Sequence, residues 1–122
     1  MSEWEPSAGI DELNARAALL AEVRAFLSSR GVLEVDTPSL GRFATTDPNI
    51  ELFEVATHDG RRFLQSSPEY AMKRLLASGS GDIFQLGKVF RSGEYGERHN
   101  PEFVMLEWYR VDWTHYQLMR EV

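Results

Sequence analysis

Apolar residues recur at spacings of three and four from Ile10 to Arg30, so that Leu13, Ala17, Leu20, Val23 and Leu27 share one side of a helix. Alanine is frequent there, and Gly31 stands where a helix C-terminal glycine belongs. The pattern predicts an amphipathic helix packing on a sheet. Val32–Val35 predicts a short strand stopped by Pro38, because proline has no amide to donate to a ladder. Leu40–Ile50 shows no period, and Asp47-Pro48-Asn49 predicts a loop. Glu51–Thr57 and Arg62–Gln65 flank His58-Asp59-Gly60 as the arms of a hairpin, in which His58 is a turn residue.

The second half of the chain alternates helix and strand signals. Pro68 suits the first position of a helix running to about Ser78, with Met72, Leu75 and Leu76 inward and Gly79-Ser80-Gly81 ending it. Asp82–Phe90 then alternates two faces, and Arg91 falls in phase with Gln85 and Gly87 on the smaller, more polar one. A glycine within a strand costs stability and marks a place where a ligand or another backbone comes close. Beyond a charged connection closed by Pro101, Glu102–Trp113 predicts a returning strand. Val104, Leu106 and Trp108 form its core face, while Phe103, Met105, Glu107 and Tyr109 point the other way. Thr114 opens a last helix, with Gln117 placed to complete a capping box.

Composition narrows the classes. A chain of 122 residues is one domain by length, and 43% hydrophobic with 26% charged residues is ordinary for a soluble globular protein. No apolar run approaches the ~20 residues a membrane helix needs, and no signal-peptide pattern is present. The absence of cysteine excludes disulfides and thiolate metal sites and suits a cytoplasmic location. A net charge of −6 argues against a broad nucleic-acid face while leaving room for a local cationic pocket.

Two carboxylates draw the eye. Glu69 lies in the first turn of its helix, where amide dipoles favour an anion. Glu107 sits on a strand face whose neighbours offer no cation, and a buried carboxylate needs one. The residues alone leave two readings of that face open, a ligand-binding floor and ordinary packing.

Three blocks of residues carry a family resemblance: SPEYAMKRLL from Ser67, FRSGEYGERHNPEF from Phe90 and MLEWYR from Met105. The first half adds helix, glycine, strand and proline over about residues 10–38. Together they resemble the lysine branch of the class II aminoacyl-tRNA synthetases. Residues 10–38 correspond to its motif 1, and about 84–113 to its motif 2. Within that branch the wording is nearer to the stand-alone elongation factor P lysyltransferases than to lysyl-tRNA synthetases, which carry an additional anticodon-binding domain.

The resemblance implies an α+β fold, a mostly antiparallel sheet flanked by helices, as a single partial catalytic domain over 1–122 with motif 3 outside it. It implies activation of lysine or (R)-β-lysine with ATP and ligation to a lysine of elongation factor P, tRNA not being the acceptor. Rival implications are a fragment of a true lysyl-tRNA synthetase and a non-catalytic dimerising module. Arg91 would be catalytic, holding the α-phosphate. Ser92, Gly93, Glu94, Arg98, His99 and Asn100 would contact the nucleotide, and Phe103 would stack under its base. Glu69 would receive the ammonium next to the substrate carboxylate, with Ser67 and Pro68 shaping that wall, and Glu107 with Tyr109 would bind the side-chain ammonium. Mg2+ would bridge phosphates, with its protein ligands mostly elsewhere, and the motif 1 region, Gly31–Pro38, would form a homodimer. The family loop has glutamate two places after the arginine; here that place is Gly93, and glutamate follows at Glu94. Without motif 3, the isolated chain is expected to be nearly inert in turnover.

Overall fold

A computed structural model of the chain describes residues 4–93, 96–97 and 99–122. Two units are distinguished, residues 1–31 and 32–122. The first is helix α1, Ile10–Ser28, with Asp11 and Glu12 in its first turn, where they complement the helix dipole. The predicted stripe is buried unevenly: Leu27 is buried and Leu20 and Val23 half-buried, whereas Leu13 and Ala17 are exposed. Gly31, at φ 75°, ends the helical stretch in the left-handed conformation that glycine adopts without a Cβ penalty.

The second unit holds β1 (Leu33–Glu34), β2 (Leu40–Gly41), β3 (Glu54–Thr57), β4 (Gly60–Leu64), α2 (Glu69–Ala77), β5 (Ile83–Phe90), β6 (Glu102–Tyr109) and α3 (His115–Glu121). The α+β expectation holds, but the strands form two three-stranded sheets, ordered β1-β5-β6 and β2-β4-β3. All pairings are antiparallel except β1 with β5. The Phe90 amide donates to the Gln65 carbonyl at 2.9 Å, joining the end of β5 to the segment leaving β4. Ile83, Phe84, Val89 and, from α2, Met72 form the fully buried core of this unit.

Several boundaries differ from the sequence expectations for local reasons. β1 is shorter than Val32–Val35 because the Thr37 amide, two residues beyond Val35, bonds the Gln85 side-chain oxygen at 2.9 Å instead of a backbone carbonyl. Leu40–Gly41, expected as loop, pairs with β4; two residues are too few to show a period. Glu51 lies outside β3 and makes an isolated bridge to Ser92. The hairpin turn is His58-Asp59, and Gly60 follows it at φ 114°, a conformation that favours glycine. Pro68 caps α2 and does not occupy its first turn.

β6 ends at Tyr109, short of Trp113, because the Val111 amide donates to the Asp82 carboxylate at 2.7 Å and leaves the ladder. Asp112 then turns the chain at φ 62°. Val104, Leu106 and Trp108 are half-buried, so the deep core belongs to β5 and not to this face. The capping box at Thr114 and Gln117 forms as expected. Among the described residues no helix is long and apolar enough to cross a membrane.

Candidate active site

The register of β5 on β6 assembles the site. Gln85 lies opposite Glu107, Gly87 opposite Met105 and Val89 opposite Phe103. Directly opposed residues share a face, so Arg91, in phase with Val89, belongs to the face that carries Phe103, Glu107 and Tyr109. The Arg91 amide donates to the Pro101 carbonyl at 2.9 Å, which carries the pairing one step past the strands. Its guanidinium stands 5.1 Å from the Phe103 ring centroid, a cation over an aromatic plate. Its Nε also donates to the Ser66 carbonyl at 3.3 Å, linking Arg91 to the residue before Ser67.

Ser66 and Pro68 are buried, and Ser67 is half-buried. The Ser67 hydroxyl accepts from the Glu69 amide at 3.3 Å, which fixes the entry into α2. Thr45, Gln65, Ser66, Ser67, Glu69 and Tyr70 line a small polar recess there. A larger hollow of about 450 Å³, flanked by Pro38, Phe43, Tyr70 and Arg74, contains none of the expected site residues.

At the inner end of the face, the Tyr109 hydroxyl donates to Glu107 Oε1 at 2.6 Å. Burial, and then this bond to an anion, push the phenol well above its usual range, so it stays protonated and donating. Glu69 adds to the shift, which places its charge within electrostatic reach of Tyr109. Gln85, buried beneath Glu107, uses its oxygen on Thr37 and so braces the strand floor.

The sequence reading missed Lys73. Its Nζ meets Glu69 Oε1 at 2.6 Å, and this bond, with smaller contributions that include Glu107, raises its pKa. The helical i, i+4 spacing of Glu69 and Lys73 was the available signal. Glu69 is therefore ion-paired already, with about half of its side chain still exposed. The Ser66 carbonyl left no signal, because backbone groups carry no sequence identity.

The connection between the strands is less gathered. Ser92 pairs with Glu51, Gly93 turns at φ 76°, and His99 pairs its backbone with Gly96. His99 and Asn100 are exposed. Glu94 and Arg98, expected to contact nucleotide, lie outside the described residues. Among the described residues no group of three His, Cys, Asp or Glu is gathered, whereas a Mg2+ carried by substrate phosphates needs only one or two carboxylates.

A cation over an aromatic plate and a carboxylate–phenol pair, held on one strand face beside an acidic helix start, is a layout for a ligand with anionic, aromatic and cationic parts. Comparison with known proteins bears on the family. Residues 8–122 match the family described as tRNA synthetases class II (D, K and N). The chain is 54% identical, over 99% of its length, to a Photorhabdus laumondii protein named elongation factor P–(R)-β-lysine ligase. Proteins of the same name from Pasteurella multocida and Vibrio vulnificus are 52% and 49% identical over 98% and 99% of the chain. The chain spans 39% of the length of each of these relatives. This chain belongs to the class II tRNA synthetase family.

Proposed function

We propose that the chain carries the substrate face of a ligase that activates lysine or (R)-β-lysine with ATP and passes it to a lysine of elongation factor P. The observation that carries this reading is the gathering of Arg91, Phe103, Glu107 and Tyr109 on one face of β5–β6, with Glu69 at the adjoining helix start. The names of the relatives favour elongation factor P over tRNA as acceptor.

The residue chemistry follows from charge. The substrate carboxylate oxygen attacks the α-phosphorus, forming a C–O–P linkage as the bond to the leaving pyrophosphate breaks. Both reactants are anionic, so a guanidinium at the phosphorus lowers the barrier by countering charge that grows there. Arg91 takes that role, and Phe103 stacks beneath the base. Glu69 receives the ammonium beside the carboxylate, while Glu107, oriented by the Tyr109 hydroxyl, receives the distal one. Holding both ends fixes the carboxylate in line for attack. The acceptor amine then attacks the acyl carbon, AMP leaves, and the amine proton is lost to solvent. No enzyme nucleophile is required.

The strand β1 lies at the edge of its sheet and leaves Leu33 58% exposed. An unpaired edge with an exposed leucine supports self-association through Gly31–Pro38.

Calorimetric titration with ATP and with lysine tests the reading. Each should bind, and Arg91→Ala should weaken ATP at least tenfold. Binding of neither ligand to the intact chain would overturn it.

A further inference from the structure

Two observations meet at Gly93. Its φ of 76° favours glycine whatever the surroundings. Independently, a Cβ at this position would lie 2.8 Å from Glu51 Oε2 and 3.3 Å from Glu51 Cδ. A carboxylate from a distant segment thus stands where the side chain of residue 93 would emerge.

The placement is held by backbone. Glu51 bridges Ser92, whose amide donates to the Glu51 carbonyl at 2.9 Å. Ser92 directly follows Arg91, and the Arg91 guanidinium is 5.1 Å from the Phe103 ring. The Glu51 carboxylate is thus held against Gly93, two residues along the chain from Arg91. Glu51 is exposed, and among the described residues its carboxylate makes no hydrogen bond or ion pair. A carboxylate that no internal donor satisfies is an acceptor open to a ligand donor.

We propose that Glu51 supplies, from outside the Arg91–Pro101 connection, the carboxylate that Gly93 lacks, and that it reads the exocyclic amino group of the nucleotide base. The inference rests on the ATP reading above. An ionised carboxylate only accepts hydrogen bonds, so it welcomes a base amino group and is repelled by a keto oxygen at the same place. A base stacked on Phe103 with its phosphates at Arg91 needs one such edge contact to be told from its keto analogue. Glu51 is a specificity residue in this scheme and bears no part of the phosphoryl chemistry.

The test compares ATP with inosine triphosphate, which replaces the amino group by a keto oxygen, in calorimetric titrations of the full chain. The wild-type chain should prefer ATP by about tenfold or more, the size expected for one charge-assisted hydrogen bond. Glu51→Ala should erase most of that preference, by weakening ATP and by relieving the repulsion of inosine triphosphate, and Glu51→Gln should narrow it. Arg91→Ala should weaken both nucleotides equally. Glu51 is exposed and outside the strands, so circular dichroism should show an unchanged fold in its variants. A preference that survives Glu51→Ala, or one lost in Glu94→Ala instead, overturns the inference while leaving the ATP reading intact. Failure of the wild-type chain to bind either nucleotide overturns both.

Discussion

Two antiparallel hairpins in this chain use the same ladder to opposite ends. In β3–β4 a two-residue turn joins the strands, and the polar groups satisfy one another at the surface. Thr57 and Arg62 bond Asp59, and Arg61 reaches Glu54 at 3.3 Å with both side chains largely exposed. The Thr57 hydroxyl, ahead of Arg62, holds the Asp59 carboxyl below its usual range. In β5–β6 a long connection separates the strands; Lys88 and Glu102 pair at the surface, while other polar groups lie on the half-buried face and at its base. Arg110 is 4% exposed in its side chain and bonds Glu121, itself 5% exposed, and Asp82 at 3.0 Å. Glu107 and Tyr109 face inward one step before it. The first hairpin pairs its charges at the surface, and the second carries the proposed substrate face.

The largest effect expected from that contrast is on stability. Arg110→Ala leaves Glu121 and Asp82 without their shared cation, and removal of one buried partner is costly. A loss of about 2–3 kcal/mol in urea unfolding is expected, toward the low end because Asp82 keeps some solvent contact. Arg61→Ala, in the other hairpin, should leave the melting midpoint and every binding constant unchanged, since exposed pairs contribute little.

Next in size are the site variants. Glu107→Gln should weaken lysine about tenfold, the loss of one charge-assisted contact, with little change in the urea midpoint. A fall in stability matching that of Arg110→Ala would place Glu107 in the scaffold and break the contrast.

The smallest effect is a pH dependence. Folding raises the Tyr109 pKa, so its contribution is complete below the ordinary phenol value near 10 and is lost as pH rises through the folded value. Stability should decline above about pH 10, less steeply in Tyr109→Phe. Phenolate absorbance should show one tyrosine ionising after the others. Four equivalent tyrosines would remove burial as the cause.

Much of this was legible in the sequence, and the failures share a cause. The period-two alternation of residues 83–90 and 102–109 fixed which side chains share the Arg91 face, and Thr114 with Gln117 announced its own cap. What escaped depended on chain segments meeting in space. Leu40–Gly41 becomes a strand only because β4 lies alongside, and β6 ends early only because Asp82 captures the Val111 amide. The Ser66 carbonyl on Arg91 and Glu51 at Gly93 are likewise contacts that local pattern does not encode, whereas Lys73 on Glu69 was signalled by its i, i+4 spacing and overlooked. Glu107 was singled out for want of a cation among its strand neighbours, and the group that bonds it is the Tyr109 phenol.

The most direct measurement of the central claim is binding of a non-hydrolysable lysyl-adenylate analogue, which joins base, phosphate mimic and both ammonium groups in one molecule. If the β5–β6 face is a single substrate surface, the analogue should bind more tightly than ATP or lysine alone. Arg91→Ala and Glu107→Gln should each weaken it, and Arg61→Ala should leave it unchanged. Equal affinity for the analogue in wild type, Arg91→Ala and Glu107→Gln would contradict the account.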